Sequence, residues 1–457
     1  MSKVLLIYPY FKPARDRSVF RFPPLGICYL ASSLQAEGHD VQLLDCTFMD
    51  KAQAHQQAVE TQAEVIGIYC MVTMLEDCLW LARQLRKQCK LLVAGGPLPT
   101  CDASAFLADF DVVVRGEGER TMVELLEAYS RGKDLTGVPG TVTRRVQGSN
   151  GKSKEVIITS QERPFNRDLD NLPFPARTQL PNQDYIRFGR KKYGYAITTV
   201  MSTRGCPYEC EFCSNVIFGG SYRERSASNV VDEVEAALSL GYDRISFADD
   251  VFTLHKKRVL EIGEEIQKRD LHFLWECLAR VDSVDEATYK EMYRAGCRRV
   301  YFGIESGDDT ILRLMKKKIT VDEARHAVIA AHQAGLEVGA FFILFYPGET
   351  DQTVLNTLRF ATSLPLDYLG LTMPYPLPGT ALYERVKGRI KRQWHPGESI
   401  FGSHVLIYNA EFSEAKMWLG IIKGHTQFQI KHRLGKLAPL ALKLFEGPSN
   451  WLLTHLK

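Results

Sequence analysis

The sequence predicts an α/β protein: a doubly wound parallel sheet, then a partial parallel barrel of six β/α units, then a helical tail. Three observations predict it. Short apolar runs alternate with helical patterns over residues 1–135, and the same alternation resumes at Ile197. Residues 136–195 between them break the rhythm with turn-forming and Pro-rich segments. Strands alternating with helices build parallel sheets, and a run of six such units closes part of a barrel. A chain of 457 residues is also too long for one ordinary domain. The expected division is 1–135 for the first α/β unit, 136–195 for a linker with a β-hairpin, 196–385 for the partial barrel and 386–457 for the tail. No internal repeat survives inspection.

In the first unit, strands are expected at Val4–Tyr8, Val41–Asp45, Val65–Tyr69, Leu91–Ala94 and Val112–Val114. Helices are expected at Pro24–Glu37, with Gly38 placed as a C-terminal cap, and near Leu75–Lys90 and Glu119–Ser130. Gln147-Gly-Ser-Asn-Gly-Lys-Ser reads as a turn between two β-like runs, and Leu172-Pro-Phe-Pro is too Pro-rich for a helix. The second unit has strands at Ile197–Ser202, Arg244–Ala248, Phe273–Leu278, Arg299–Ile304, Val338–Phe345 and Tyr368–Met373. Its helices fall near Val230–Leu240, Lys257–Lys268, Asp285–Ala295, Val321–Gly335 and Gln352–Ser363. Both architectures place ligands at the carboxyl ends of their strands.

Composition narrows the class. The chain is 45% hydrophobic and 24% charged, as globular proteins are. The formal charge, 57 − 54 = +3, argues neither for nor against nucleic acid; no nucleic-acid partner is expected. No run reaches the ~20 apolar residues of a membrane span, and Met1-Ser-Lys-Val-Leu-Leu-Ile-Tyr suits a buried strand better than a signal peptide. A cytoplasmic location, with peripheral membrane contact an option, is therefore expected. The eleven cysteines are odd in number, which excludes a simple disulfide framework. Most stand alone in apolar contexts, as core thiols do.

Only one group is tightly spaced: Thr203-Arg-Gly-Cys206-Pro-Tyr-Glu-Cys210-Glu-Phe-Cys213, directly after the first barrel strand. Three thiolates on one loop converge on a soft metal centre. A [4Fe–4S] cluster held by Cys206, Cys210 and Cys213 keeps one iron open for a substrate or cosubstrate. A structural zinc needs a fourth ligand, and no nearby Cys or His offers one; a degenerate zinc knuckle or three inert thiols is the bland alternative.

This loop, with Phe212 just before the third cysteine, resembles the signature of the radical S-adenosylmethionine (SAM) superfamily. The resemblance implies that the open iron chelates the methionine end of SAM. One electron then breaks the sulfonium C–S bond, and the resulting 5′-deoxyadenosyl radical removes hydrogen from an unactivated carbon, chemistry that side chains cannot supply. It implies an electron donor such as a flavodoxin or ferredoxin. Asp249 and Asp250, ending the second strand, would accept bonds from the methionine ammonium, unless they serve as a turn or helix cap. Arg280, after the third strand, would pair with the methionine carboxylate or make a surface salt bridge. Glu305 and Ser306 in Phe302-Gly-Ile-Glu-Ser-Gly307 resemble the family's ribose and amino contacts, with Gly303 and Gly307 allowing close backbone approach. Arg223 and Arg225 meet either the cosubstrate or the barrel wall. Tyr346-Pro-Gly-Glu-Thr350 doubles as a helix start.

The first unit resembles the Rossmann-like cobalamin-binding domain that precedes the barrel in one branch of that superfamily. The matching stretches are Phe22-Pro-Pro-Leu-Gly26, Gly38-His-Asp, Ala94-Gly-Gly-Pro97 and Val114-Arg-Gly-Glu-Gly118. They assign cobalamin contacts to Pro24, Leu25, Gly26, Gly95, Gly96, Pro97, Arg115, Gly116 and Glu117. The Asp-x-His-x-x-Gly motif of mutases is missing, and His39 and His55 do not replace it. The resemblance therefore leaves the lower face of cobalt to a small or apolar residue near Tyr69 to Met74. A doubly wound domain that only scaffolds the barrel is the alternative.

The implied function is cobalamin-dependent methylation of an unactivated carbon in a small-molecule or lipid substrate. Radical cyclisation, ring rearrangement or C–C coupling without methyl transfer is the second reading, as in the anaerobic cyclase of chlorophyll synthesis. A cobalamin- or metal-binding sensor is the third. Methylthiotransferases are disfavoured, since neither a second N-terminal cysteine triad nor a C-terminal RNA-binding barrel is seen. The tail carries Trp418, Phe428, Trp451 and a basic run from Lys423 to Lys443. It reads as an amphipathic helix that packs on the barrel or lies on an anionic membrane surface.

Overall fold

The structure, a computed structural model, describes residues 1–11, 21–149, 152–391 and 406–456. The tip of the expected hairpin turn, Asn150-Gly151, lies outside the described residues.

Seven strands form the first sheet: β1 (Lys3–Tyr8), β2 (Asp40–Asp45), β3 (Val65–Tyr69), β4 (Leu91–Gly95), β5 (Val112–Val114), β6 (Thr141–Ser149) and β7 (Lys152–Thr159). Their order is β2-β1-β3-β4-β5-β6-β7. The first five strands run parallel, and the hairpin adds antiparallel to β5. β1 and β3 are near-continuous apolar runs because helices cover both faces of the sheet. Those helices are α1 (Leu25–Ala36), α2 (Lys51–Glu60), α3 (Leu75–Leu85), the single turn α4 (Pro97–Cys101) and α5 (Gly118–Ser130).

Three features depart from the sequence reading. Helix α2 was not foreseen, because it buries only Ala54 and Ala58 and shows almost no apolar stripe; its signal was the capping box between Asp50 and Gln53. The hairpin expected in a linker is instead the edge of the sheet, pairing β5, which would otherwise present an open ladder. The following segment also forms a helix, α6 (Asn182–Tyr193), ended by Gly194 at φ 85° after Arg190, Lys191 and Lys192 in the last turn.

The second unit begins with β8 (Ile197–Val200), followed by the short pair β9 (Thr203–Arg204) and β10 (Arg223–Glu224). It continues with β11 (Arg244–Phe247), β12 (Leu274–Ala279), β13 (Cys297–Glu305), β14 (Glu337–Ile343) and β15 (Tyr368–Thr372). The six long strands pair in parallel in simple chain order, β8-β11-β12-β13-β14-β15. This is an open barrel with β8 and β15 as its edges. Helices α7 (Ala227–Ser239), α8 (Lys256–Lys268), α9 (Glu286–Arg294), α10 (Asp309–Leu314), α11 (Val321–Gln333), α12 (Asp351–Ser363) and α13 (Ala381–Val386) complete it. Side chains of Ser226, Asp285, Thr320 and Thr350 cap four of them.

The tail is a helix pair, α14 (Glu414–Leu434) and α15 (Ala438–His455). Gly420 and Gly424 let α14 approach closely: a Cβ there would stand 2.5 Å from Phe345 and 2.3 Å from Leu371. The tail thereby packs against the β14–β15 side of the barrel.

Buried charge joins the two units. The fully buried Glu233 of α7 meets Arg177, Arg225 and the hydroxyl of Tyr29, which donates to it at 2.8 Å from α1. Breaking such a network by removing one partner leaves an uncompensated buried charge, so the units are held in one arrangement.

Candidate active site

The cysteine loop leaves β9 through Gly205, at φ 85°, where a Cβ would stand 2.2 Å from the Ser221 carbonyl oxygen. Only glycine fits there. The loop is then fixed by its backbone. Cys206 N–H donates to Gly219 (3.3 Å), Cys213 N–H to Cys210 (3.1 Å) and Glu211 N–H to Met315 (3.0 Å), while Leu382 N–H donates to the Glu211 carbonyl (2.8 Å). The Asn215 amide donates to the Cys206 carbonyl at 3.0 Å. Glu211 also accepts from Tyr346 Oη (2.7 Å) and Arg385 (3.0 Å), which ties the middle of the loop to the end of β14. Phe212 lies edge-on to Tyr346, with ring centroids 6.5 Å apart.

Cys213 keeps contact with solvent, yet the protein packed around its thiol desolvates it and pushes it up to about 12, and Cys210, Asp250 and Cys206 add to the rise. Cys206 is raised for the same first reason, with Asp250 and Cys210 contributing. The three sulfurs are therefore electrostatic neighbours, and loading a metal releases their protons. Among the described residues no three His, Cys, Asp or Glu side chains gather closely enough for a single ion.

The strand ends sort into residues that face this loop and residues that frame it. Asp249 is buried and accepts from Ser202 N–H (2.6 Å), Ser202 Oγ and Thr203 N–H (2.9 Å), so its oxygens hold the end of β8 rather than await a ligand. Burial raises its carboxyl, opposed by Arg258 and these bonds. Its neighbour Asp250 is exposed and acts electrostatically on Cys206 and Cys213. Arg225 spends its donors on Asn229, Met201, Tyr29 and Glu233, in the barrel wall. Arg223 bonds Glu117 and the Asn166 carbonyl. Arg280 grips Asp282 through two bonds of 2.9 Å and covers the Tyr208 ring at 3.5 Å, so it braces the cysteine loop. Ser306 is buried against Thr357 at 3.1 Å.

Glu305 differs from these. It sits at φ 73°, at a register shift between β13 and β14, and Phe345 at the end of β14 has φ 64°. Two non-glycine residues in the left-handed region on adjacent strand ends mark stored strain of the kind found at functional sites. The Glu305 carboxylate pairs at 3.1 Å with Lys317, whose ammonium lies 5.8 Å from the centre of the Phe212 ring. Lys317 was not foreseen: inside Lys316-Lys317-Lys318 it reads as one of three solvated charges, yet it is buried.

A second site lies at the carboxyl ends of the first sheet, where the strand order reverses between β1 and β3, the position at which doubly wound sheets bind ligands. It is a cavity of ≈ 270 Å³, mainly apolar. Of the residues assigned to cobalamin, Gly26, Gly95, Gly96, Pro97, Gly116 and Glu117 line it, and Gly26 has no atom within 4 Å of where its Cβ would stand. The expected Pro24, Leu25 and Arg115 do not line it: Pro24 precedes α1 as its cap residue, Leu25 starts that helix, and Arg115 points to Glu162 at 3.3 Å. Tyr69, the first residue of the stretch expected to face cobalt, also lines it; Met122 and Glu119 were missed, as were Met201, Arg204, Ile217 and Phe218 from the barrel side. Among the described residues no histidine lines it; His39 lies at the opposite end of the sheet, beside the Ser2 N–H. An apolar hollow walled by absent side chains fits a broad, flat macrocycle such as a corrin.

Arg204 links the two sites. It stands two residues before Cys206 and bonds Glu117 (3.1 Å) and Glu119 (2.7 Å) from the cavity wall, with its guanidinium 5.3 Å from the Tyr29 ring centre. Burial alone would raise the Glu119 carboxyl, but Arg204 overrides this and holds it below its ordinary value. Cavity and cysteine loop thus share a wall, with Gly116 against the Ile217 carbonyl.

The fold and these facing ends define a class: an iron–sulfur radical enzyme with a corrinoid-binding sheet beside its barrel. The comparisons agree. Residues 200–361 match the radical SAM superfamily, and residues 12–126 match the B12 binding domain. An uncharacterized methyltransferase of Pyrococcus horikoshii is 35% identical over 84% of this chain and 83% of its own length. The anaerobic magnesium-protoporphyrin IX monomethyl ester cyclase of Rubrivivax gelatinosus is 28% identical over 85% of this chain and 71% of its own. The fold is shared with the radical SAM methyltransferase TsrM from Kitasatospora setae, solved with cobalamin and a [4Fe–4S] cluster bound. There the TM-score is 0.69 and the identity 21%, over 85% of this chain and 75% of that one. The chain belongs to the radical SAM superfamily, in the group that carries a B12-binding domain. It is a radical SAM enzyme whose cofactors are a [4Fe–4S] cluster, SAM and cobalamin.

Proposed function

We propose that this enzyme methylates an unactivated carbon of a small-molecule substrate. The observation that carries the reading is the wall shared by the apolar cavity and the cysteine loop, which would put a methyl carrier beside a radical source. When bound, the cluster and SAM supply the 5′-deoxyadenosyl radical, and cobalamin supplies the methyl group.

The chain's own residues position these groups. Cys206, Cys210 and Cys213 would hold the cluster. Asp250, whose carboxylate accepts only from the Gly205 backbone, would take the methionine ammonium in place of the more heavily engaged Asp249. The Glu305–Lys317 pair offers a carboxylate and an ammonium beside Phe212, suited to the ribose and the methionine carboxylate. Arg280 and Asp249 fix the backbone around them. Gly26, Gly95, Gly96 and Gly116 would admit a corrin face, and Tyr69 would lie against it in the same cavity. The exposed Cys213 side of the loop is where an electron donor of the flavodoxin or ferredoxin type would approach.

Methyl-labelled SAM tests this without knowledge of the substrate. The reduced, fully loaded enzyme is expected to move label onto the corrinoid and release S-adenosylhomocysteine under anaerobic conditions. Deoxyadenosine as the sole product, with an unlabelled corrinoid, would overturn methylation and favour the cyclisation known for the Rubrivivax gelatinosus relative.

A further inference from the structure

Six of the twelve exposed large apolar side chains among the described residues lie on the two tail helices, and a seventh, Leu437, lies in the turn between them. Helix α15 has two apolar stripes. The inner one, with Ala438, Phe445 and Leu453, faces α14, where Lys423 bonds Ser449 at 3.0 Å and Gln427 bonds Glu446 at 3.0 Å. The outer one faces solvent. Leu437, Leu440, Leu444 and Trp451 are 67%, 64%, 70% and 62% exposed and recur at helical spacing, so they share one face. Contiguous apolar surface of this kind marks an interaction site.

The charges around the stripe say what covers it. Lys423 and Lys431, part of the basic run in the sequence, are used inside the protein: Lys431 donates to the carbonyls of Thr362 (2.8 Å) and Leu364 (2.5 Å). Glu446, the one acidic residue between Lys431 and Leu456, is spent on Gln427. What remains exposed is Arg433, Lys436 and Lys443, all positive. A second copy of the chain would bring these cations against themselves in a two-fold pairing, which requires a self-complementary surface. Among the described residues no helix is long and apolar enough to cross a membrane. Leucines and a tryptophan on a convex helix, flanked by exposed cations alone, match the headgroup boundary of an anionic bilayer.

We propose that the outer face of α15, with Arg433, Lys436 and Lys443 beside it, docks the enzyme on an anionic membrane surface. The helix lies in the plane of the interface, with Leu440, Leu444 and Trp451 below the headgroups.

Flotation of the loaded, full-length enzyme with phosphatidylcholine vesicles, with and without phosphatidylglycerol, tests this. Binding is expected only to the anionic vesicles and falls with salt. The pairs Leu440→Glu/Leu444→Glu and Lys436→Glu/Lys443→Glu should each weaken it at least about tenfold. Trp451 emission should shift to the blue on binding, and W451F should lose that shift. Wild-type melting and SAM cleavage in the variants exclude misfolding; if the glutamate pair unfolds the chain, Leu440→Ser/Leu444→Ser replaces it. Equal flotation of wild type and both pairs would overturn the proposal. So would a dimer that Leu440→Glu dissociates while no vesicle binds.

Discussion

The carboxyl ends of the two parallel sheets solve opposite problems. The first sheet makes a site by removing side chains: Gly26, Gly95, Gly96 and Gly116 leave a hollow with apolar walls. The barrel makes a site by filling its rim with charge and then pairing most of it. Asp249, Arg225, Arg280 and Ser306 are all engaged with protein partners, and they leave the cysteines, Asp250 and the Glu305–Lys317 pair facing the loop. A rigid macrocycle needs room, whereas a reactive cosubstrate needs groups held in place before it arrives. Arg204 is where the two designs meet.

The largest effect that separates the two sites comes from the cysteines. Cys206→Ala or Cys213→Ala should abolish the cluster's visible absorbance and SAM cleavage while cobalamin uptake survives. Loss of cobalamin as well would show that the cavity depends on the cluster. The reverse cut is Gly26→Leu. It puts a side chain into open space rather than into a neighbour, so folding and iron content should persist while cobalamin retention is lost. Unchanged cobalamin content would mean that the cavity is not the corrin site.

That contrast also explains what the sequence revealed. The cysteine loop was legible because its three ligands lie on one short loop and their spacing is a local property. Strands such as Val65–Tyr69 and Val112–Val114 were legible because burial on both faces demands unbroken apolar runs. Helix α2 was hidden by its two-alanine face. The partners of Asp249 and Arg225 were illegible because a strand-end charge reads the same whether it awaits a ligand or is already paired; only the tertiary neighbours decide. Lys317 was lost in a run of lysines for the same reason. Pro24 and Arg115 do not line the cavity, since motif adjacency does not say which side chain turns toward it.

Arg204→Met should have the next largest effect, and it touches both sites. It leaves Glu119 buried without its cation, while Arg223 still reaches Glu117 at 2.7 Å. Removing one partner of a buried pair costs about 3–5 kcal/mol. Denaturant unfolding should show this, with cobalamin retention reduced alongside. Adding Glu119→Gln should recover much of the stability, because it removes the stranded charge; no recovery would mean that Arg204 acts through packing on Tyr29 and Phe218.

Glu349 makes the barrel rim sensitive to pH in a way the apolar cavity is not. Burial lifts its carboxyl from the ordinary 4.5 to about 8, although Tyr346 N–H donates to it at 2.8 Å. The folded state therefore favours the neutral form. That contribution is complete below pH 4.5 and is lost as pH rises through about 8. Melting temperature should decline across this window, and Glu349→Gln should flatten the decline. An unchanged slope in the variant would assign it to other groups.

The smallest expected effect tests how tightly the rim holds the cysteine loop. Tyr346→Phe keeps the ring against Phe212 and removes the bond to Glu211. Arg385 continues to satisfy that carboxylate at 3.0 Å, so no buried charge is stranded. Stability should fall by about 1 kcal/mol, the usual net value of one hydrogen bond. Iron content should hold, yet cluster lifetime in air should shorten, because Glu211 sits between Cys210 and Phe212 and its backbone sets where Cys213 turns. Cobalamin retention should not change. If it does, motion of the loop reaches the cavity through Arg204, and the two carboxyl ends act as one site rather than as neighbours.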